Sequence, residues 1–218
     1  VRATAHCDGG KVRSVRIRNV PSFACALDRQ LQVPGLGRLK VDTAYGGDSF
    51  VVVDADSLGF GLVAREARQL AELGVRISAA ATAQLGFTHP ENPDWQHISF
   101  CLFAAPARRR GDLLETRHAV AIRPGKIDRS PTGTGVSARL ALLHARQAIA
   151  PGEALLARSI IDSCFTGRIE GETAVGGMMA IIPSVEGRAW RTGERHLFVD
   201  PDDPWPLGYR VTDTWPVP

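Results

Sequence analysis

One short segment, Asp128-Arg129-Ser130-Pro131-Thr132-Gly133-Thr134-Gly135, places a carboxylate, hydroxyl groups and a Gly-Thr-Gly turn directly before an apolar stretch with helical spacing. The free N–H groups of a helix's first turn, at the positive end of its dipole, bind anions well. Gly133 and Gly135 would let the backbone approach such an anion closely. The segment therefore predicts a carboxylate-binding turn, with Thr132 beside the ligand and Asp128 reaching it from four residues back.

Two other interpretations of this segment remain open from the local pattern. An ordinary capped helix start uses the same residue types. A phosphate loop is the second alternative, but no Lys follows the glycines and no GxGxxG is present, which disfavours a Walker-type or Rossmann site.

The element that would position the segment is a helix predicted over 135–149, because Val136, Leu140 and Leu143 fall on one line and Pro151 ends the pattern. Upstream, Asp56 or Ser57 is expected to cap a helix that ends at Gly74, followed by a helical stretch over 77–85. Period-two alternation and short apolar runs predict a β-hairpin over 1–18 and strands over 30–33, 39–43, 50–53, 96–103, 118–122, 159–162, 168–172 and 179–182. A proline-rich tail without regular structure completes an α+β fold.

The composition is that of a folded globular chain, with 44% hydrophobic and 22% charged residues and a formal net charge of +3. The densest basic run, Arg108–Arg110, is predicted to be a solvated loop, because a nucleic-acid patch needs more than three arginines. No apolar run approaches the roughly 20 residues of a membrane span. We therefore expect neither a nucleic-acid nor a membrane partner.

The four cysteines are scattered, without a CxxC pair or a Cys/His cluster at metal-ligand spacing: Cys7, Cys25, Cys101 and Cys164. They are predicted to pack as small apolar side chains in a reducing, cytoplasmic environment, with no metal site.

The segment 128–135 resembles the second catalytic motif of the proline racemase family, which includes hydroxyproline 2-epimerases and trans-3-hydroxy-L-proline dehydratases. Further stretches resemble the family in the same order: Arg18-Asn19-Val20-Pro21-Ser22-Phe23, Val33-Pro34-Gly35-Leu36-Gly37, Asp42-Thr43-Ala44-Tyr45-Gly46-Gly47, Val53-Asp54-Ala55, Ser159-Ile160-Ile161-Asp162-Ser163, Phe165-Thr166-Gly167 and Asp200-Pro201-Asp202-Asp203-Pro204. The resemblance implies a cofactor-independent enzyme of the diaminopimelate epimerase type. Its small-molecule imino acid substrate would lie between two pseudo-symmetric domains, each with strands around a central helix. The resemblance leaves open whether the protein forms a homodimer.

Thr132 stands where racemases and epimerases of the family carry one of two acid/base cysteines. A thiol near pKa 8.5 can be poised as a thiolate at neutral pH, whereas an alkanol cannot. Thr132 therefore favours a one-base mechanism, in which a partner cysteine removes the Cα proton and the C3 hydroxyl departs as water. Asp48, where many racemases carry Asn, also resembles the dehydratase branch.

The resemblance assigns further roles by position. Gly133 and Thr134 would give backbone N–H groups to the substrate carboxylate, and Asp128 would accept from the ring ammonium. His97 lies on a predicted strand where the family often places a pocket residue, although a solvent-facing strand histidine fits equally. We expect His144 to be packed or solvated, and Cys25 and Cys101 to belong to the core.

The family's first motif, a Met-Cys-Gly-His segment with the other acid/base, does not occur in these 218 residues. We expect 1–23 to be strands of an incomplete first domain, 24–181 a complete second domain, and 182–218 a return strand and tail of the first. On this prediction the chain alone has no turnover, while the full-length protein converts trans-3-hydroxy-L-proline to Δ1-pyrroline-2-carboxylate. The alternatives are a hydroxyproline 2-epimerase or proline racemase, and a catalytically inactive remnant that binds an imino acid or another subunit.

Overall fold

The computed structural model describes residues 1–111 and 113–208. A boundary after Arg188 divides these residues into two units. The described part of the second unit, 189–208, contains neither helix nor strand, as predicted for the tail. The rest of the predicted tail, 209–218, lies outside the described residues.

The first unit combines twelve strands with two α-helices in the described ranges, which confirms the α+β class. In chain order the elements are β1 (Arg2–Asp8), β2 (Lys11–Arg18), β3 (Phe23–Val33), β4 (Gly37–Tyr45), β5 (Ser49–Asp54), α1 (Ala67–Gln84), β6 (Phe100–Ala104), β7 (Arg108–Arg110), β8 (Leu113–Ile122), β9 (Lys126–Ile127), α2 (Gly133–Ala145), β10 (Ala154–Arg158), β11 (Cys164–Val175) and β12 (Met178–Gly187). Single 3-10 turns occur at Asp56–Leu58 and Ala64–Glu66.

The strands form one mixed sheet in the order β1-β2-β12-β11-β10-β8-β6-β5-β4-β3, with β7 and β9 paired to β8. The pairs β5–β6 and β8–β10 are parallel, and the other pairs are antiparallel. The predicted N-terminal hairpin is confirmed by the β1–β2 ladder.

The central strands bury both of their faces, because alternate side chains of a strand point to opposite sides of a sheet. One face packs against α1 and includes Val51, Val53, Cys101, Phe103, Ala119 and Ala121. The other face packs against α2 and includes Phe50, Val52, Leu102, Ala104 and Val120. Because both faces are buried, the sequences of β5 and β6 are continuous apolar runs and do not alternate between apolar and polar residues.

Helix α2 is enclosed by the sheet on more than one side. Val136, Leu140 and Leu143 pack in one cluster with side chains of β10, β11 and β12, whereas Ala138 and Leu142 pack in another with β5, β6 and β8. A helix that is apolar around most of its circumference is a buried one. The sheet therefore curves around α2, which begins directly after the segment 128–135.

The prediction of two separate helices between 56 and 85 is wrong. Helix α1 is continuous over Ala67–Gln84, and Asp56 starts only a 3-10 turn. Gly74 lies inside α1 because a side chain there would collide with Cβ of Ala121 on β8. The glycine permits close packing of helix on sheet instead of ending the helix.

Three other local predictions also need correction. Residues 159–162 form a turn rather than a strand, and the preceding β10 was not predicted. Arg108–Arg110 is a short strand paired with β8, with its side chains exposed, rather than a loop. Helix α2 spans Gly133–Ala145, starting and ending earlier than the predicted 135–149.

Candidate active site

Segment 128–135, called here the Asp128 loop, connects β9 to α2 and folds around one carboxylate. Oδ1 of Asp128 accepts the Ser130 N–H at 2.9 Å. Oδ2 accepts the Thr132 hydroxyl at 2.7 Å and the Ser130 hydroxyl at 3.1 Å. The Asp128 N–H donates to the Val120 carbonyl at 3.0 Å, which ties the loop to β8. The structure therefore brings the two predicted site residues Asp128 and Thr132 into direct contact.

Thr132 occupies the N-cap position of α2 but does not cap it with its side chain. Its hydroxyl donates to Asp128, whereas a capping hydroxyl would accept from an N–H of the first turn. The first helical amide bond described is from Val136 to the Thr132 carbonyl, at 2.8 Å. In the described ranges the N–H groups of Gly133 and Thr134 have no acceptor. The ordinary capped helix start is thereby disfavoured.

The backbone at Thr132 has φ 62° and ψ 109°, in a region that a β-branched residue rarely adopts. Such conformations cost of order 1–3 kcal/mol and cluster at functional sites. Here the unusual backbone accompanies the contact of the side chain with Asp128, so the local geometry favours a polar pair over a helix cap.

No cation among the described residues neutralises the Asp128 carboxylate. Within residues 1–111 and 113–208, no Lys, Arg or His nitrogen lies within 4.0 Å of it. Its partners are the hydroxyl and amide groups of its own loop. A ligand ammonium can therefore supply the missing positive charge.

The two glycines of the loop have different roles. Space is open around Gly133, where an added Cβ would meet nothing within 4 Å, so a ligand can approach its amide. Gly135 is buried, and a side chain there would press on Leu102 and on Cβ of Thr132. The expectation that Gly135 permits close approach of an anion is therefore corrected: it permits close packing of α2 on β6.

Asn19 connects three parts of the chain at the start of α2. Its Nδ2 donates to the Gly46 carbonyl at 2.8 Å and to the Ser137 hydroxyl at 3.0 Å. Ser137 in turn donates to the Gly133 carbonyl at 3.0 Å. Asn19 thus supports the first turn of α2 from outside, a role that no local sequence pattern indicated.

Gly46 allows the β4–β5 turn to lie against α2. A Cβ at this position would collide with the Thr134 carbonyl oxygen and the Ala138 amide nitrogen. At the next residue, Gly47, an added Cβ would be 3.1 Å from Cγ2 of Thr134. The turn therefore brings the following residue, Asp48, to the region of the loop.

Asp48 and His97 form a polar group beside this turn. Burial raises the pKa of Asp48 above its usual range, while hydrogen bonds from Ser99 and Ser49 and the charge of His97 oppose that shift. His97 is exposed, lies in a bend before β6 rather than on a strand, and stacks on Trp95 with ring centroids 5.7 Å apart. The structure places His97 next to Asp48, whereas Asp128, Thr132, Gly133 and Thr134 lie together in the loop.

His118 lies directly behind the loop on β8 and is fully buried. Burial lowers its pKa to about 3, the charge of Arg139 acts in the same direction, and the Pro131 backbone opposes the shift. Neither ring nitrogen has a hydrogen-bond partner among the described residues. His118 is therefore a neutral packing group that supports the loop at Pro131.

The remaining nucleophile and histidine candidates lie outside this cluster. Burial raises the pKa of Cys25 to about 12 and also raises that of Cys101, consistent with packed thiols. Cys7 and Cys164 are exposed, so the prediction that all four cysteines pack as apolar residues is wrong. Nε2 of His144 lies 2.8 Å from Oε1 of Glu172, on a different part of the sheet from the loop.

The described residues contain no group of three or more His, Cys, Asp or Glu side chains that could hold a metal ion. In the same part of the chain, neither helix combines the length and the apolar character needed to cross a membrane.

Comparison with known proteins gives consistent matches. The family model described as proline racemase matches residues 1–210. A probable proline racemase from Agrobacterium radiobacter K84, crystallised with bound carbonate, is 36% identical with a TM-score of 0.82; the match covers 98% of this chain and 62% of that one. A hydroxyproline epimerase from Agrobacterium vitis with bound trans-4-hydroxy-L-proline is 37% identical with a TM-score of 0.82, covering 98% and 60%. The present chain therefore spans about 60% of the length of these solved relatives.

Proposed function

The chain belongs to the proline racemase family, and from that premise we propose that it supplies the Asp128 loop to an enzyme that dehydrates trans-3-hydroxy-L-proline. The product is an enamine that becomes Δ1-pyrroline-2-carboxylate. The observation that carries the proposal is the pairing of Thr132 with Asp128 in front of an uncapped helix start.

The substrate is a zwitterion, and the loop offers a complement to each of its charges. The free N–H groups of Gly133 and Thr134 can bind the carboxylate at the positive end of the α2 dipole. The carboxylate of Asp128, which has no cationic partner among the described residues, can accept from the ring ammonium. The relatives with bound carbonate and bound trans-4-hydroxy-L-proline each hold a ligand with a planar anionic group, which supports this assignment.

The hydroxyl of Thr132 decides which reaction we propose. Racemisation by two bases needs an acid/base group on each face of Cα, and an alkanol does not form its anion at neutral pH. Because the Thr132 proton already bonds to Asp128 at 2.7 Å, its oxygen remains free only as an acceptor. It can position an ammonium, a hydroxyl or a water, but it does not exchange a proton with Cα.

The proposed dehydration needs one base. A cysteine of the family's first motif, which these 218 residues do not contain, removes the Cα proton. The C2–C3 double bond forms as the C3–O bond breaks, and the departing hydroxide takes up a proton and leaves as water. The enamine then gains a proton at C3 and loses its N–H proton, which gives the imine. No electrons are transferred to or from a cofactor in this sequence.

We also propose that residues 1–23 and 182–218 complete the other domain of the longer protein, with 24–181 as the domain that carries the Asp128 loop. The substrate would lie between the two domains. On this proposal the 218 residues alone lack turnover.

A specific observation favours a second candidate, a hydroxyproline 2-epimerase. The solved relative from Agrobacterium vitis bears that name at 37% identity. In that case Thr132 would take part in proton return through a bound water. A remnant that binds an imino acid without catalysis remains the third candidate, and absence of every reaction in the longer protein would favour it.

The experiment that separates the candidates uses the longer protein with trans-3-hydroxy-L-proline and, separately, trans-4-hydroxy-L-proline. The proposal expects loss of one water from the 3-hydroxy substrate, measured by mass spectrometry, and no inversion of the 4-hydroxy substrate on chiral chromatography. Inversion without water loss would replace the proposal with the epimerase. The 218-residue chain, assayed in parallel, should show neither reaction.

A further inference from the structure

A second polar cavity lies between β4, β5 and α2, and none of the residues lining it belongs to the Asp128 loop. It encloses about 270 Å³. Its charged lining residues are Asp28, Lys40, Asp42, Asp54, Arg139 and Arg146. Its other lining residues are Val41, Val52, Val53, Ala104 and Pro106. Val52 and Ala104 belong to the sheet face that packs against α2, whereas the side chains of Val41 and Val53 pack in the cluster that contains α1.

Four of these six charged groups neutralise one another directly. Arg146 contacts Asp28 at 3.1 Å and Asp42 at 2.7 Å, and Lys40 contacts Asp28 at 3.2 Å. In these pairs the two positive charges of Lys40 and Arg146 neutralise the two negative charges of Asp28 and Asp42. Their carboxylates and cations are therefore already engaged.

Arg139 and Asp54 are left without such a pair. In the described ranges neither has an ion-pair partner within 4.0 Å, although Asp42 and, more weakly, Asp54 attract the Arg139 charge. Oδ1 of Asp54 accepts the Asp56 N–H at 3.0 Å. The Nε of Arg139 is enclosed by protein and has no hydrogen-bond partner among the described residues. Burial lowers the pKa of Arg139, which reflects the cost of holding this charge away from water. A buried guanidinium is stabilised only when it is paired and hydrogen-bonded.

We propose that this cavity binds a small aliphatic α-amino acid as its zwitterion. The ligand carboxylate pairs with Arg139 and the ligand ammonium pairs with Asp54. Two opposite protein charges that face one cavity without contacting each other match a ligand that carries both charges. Val52, Ala104 and Pro106 contact its aliphatic side chain. A volume of about 270 Å³ lies just below the range of about 300–1,000 Å³ for drug-sized ligands, which suits a single amino acid.

The probe for this site is L-valine, titrated into the protein by calorimetry. Two analogues each lack one charge: isovalerate has no ammonium, and isobutylamine has no carboxylate. The proposal expects valine to bind at least about tenfold more tightly than either analogue, because charge-assisted hydrogen bonds contribute about 1.5–3 kcal/mol. Isovalerate binding as tightly as valine would overturn the zwitterion site, as would the absence of valine binding.

Single substitutions test whether valine binds in this cavity. Arg139→Met and Asp54→Asn should each weaken valine binding at least about tenfold. Asp54 is exposed on a strand end, so its variant should fold even if the Arg139 variant does not. Arg38→Met, an exposed arginine on the neighbouring β4, and Thr132→Val in the Asp128 loop should both retain binding. Loss of binding in Thr132→Val but not in Asp54→Asn would assign the ligand to the Asp128 loop and exclude this cavity.

Discussion

The Thr132 hydroxyl donates a 2.7 Å hydrogen bond to Oδ2 of Asp128, although Thr132 stands at the N-cap of α2. A capping hydroxyl would accept from a first-turn amide and reduce the donors available there. By turning towards Asp128 instead, Thr132 leaves those amides free and lowers the number of acceptor sites on the carboxylate. The same bond thus affects both the donors and the acceptor of the proposed zwitterion site.

Replacing Thr132 by Cys in the longer protein should introduce inversion at Cα. A thiol with an ordinary pKa near 8.5 can exchange a proton at neutral pH, which an alkanol cannot do. The expected result is epimerisation of trans-4-hydroxy-L-proline, measured by chiral chromatography, with solvent deuterium entering Cα. Thr132→Ser is the matched control and should show no gain. Inversion already present at equal rate in the unaltered protein would contradict the one-base mechanism.

Asp128→Asn should weaken binding of an imino acid about 10–100-fold, because it removes the charge that complements the ring ammonium. The amide oxygen can still accept from Thr132, so the loop should retain its fold. Calorimetry with L-proline on the longer protein measures the effect. Asp162→Asn removes an exposed carboxylate that pairs with Arg117, and it should leave the affinity unchanged. Equal affinities for the Asp128 variant and the unaltered protein would remove Asp128 from the site.

Gly46→Ala should destabilise the protein, since the new methyl group would collide with backbone atoms of Thr134 and Ala138. Overpacking of this kind costs about 1–3 kcal/mol, equivalent to a fall in Tm of about 2–12 °C for a chain of this size. Gly171→Ala is the control, because a Cβ at Gly171 meets nothing within 4 Å. Thermal unfolding followed by circular dichroism compares the two variants. A Tm for Gly46→Ala no lower than for Gly171→Ala would argue against the close contact.

Stability should fall as the pH decreases from about 6.5 towards about 3, partly because of His118. Burial holds His118 neutral in the folded protein, while the unfolded chain takes up a proton near pH 6.5, so the unfolded state binds more protons in this window. The contribution reaches at most about 1.4 kcal/mol per pH unit and is fully retained above the unfolded pKa. Urea midpoints measured across the window should therefore decline less steeply in His118→Gln. His6→Gln, at an exposed position, should keep the original slope. An unchanged slope in the His118 variant would mean that His118 is protonated without unfolding.

The sequence predicted the parts of the fold whose signals are local. Helical spacing located α2 to within a few residues, and turn chemistry located the β1–β2 hairpin. The sequence pattern around Gly74 predicted a helix end, which is wrong. A glycine is needed there because Ala121, which is distant in sequence, packs against that position of the helix. Strand β10 was missed because it is short, apolar and paired in parallel with β8, so it shows no alternation.

The same distinction applies to the candidate site. Asp128, Thr132, Gly133 and Thr134 belong to one continuous segment, and they could be predicted together. Asn19 contacts the site through a hydrogen bond to Ser137, which is 118 residues away in the sequence. No sequence pattern around Asn19 predicts that hydrogen bond. The placement of Asp48 likewise depends on the approach of the β4–β5 turn to α2.

The enclosure of α2 by the sheet has a consequence for how the site recognises its ligand. The amide donors at Gly133 and Thr134 are the first turn of an element whose later turns are held by apolar contacts on opposite sides. Their directions are therefore set before any ligand arrives, and no ordering entropy is lost there on binding. On the proposed function, discrimination among imino acids of similar size would then depend on other groups, such as the exposed ring of His97. On the proposed function, the helix end would bind the carboxylate that the candidate substrates share, and exposed side chains at the edge of the site would distinguish their rings.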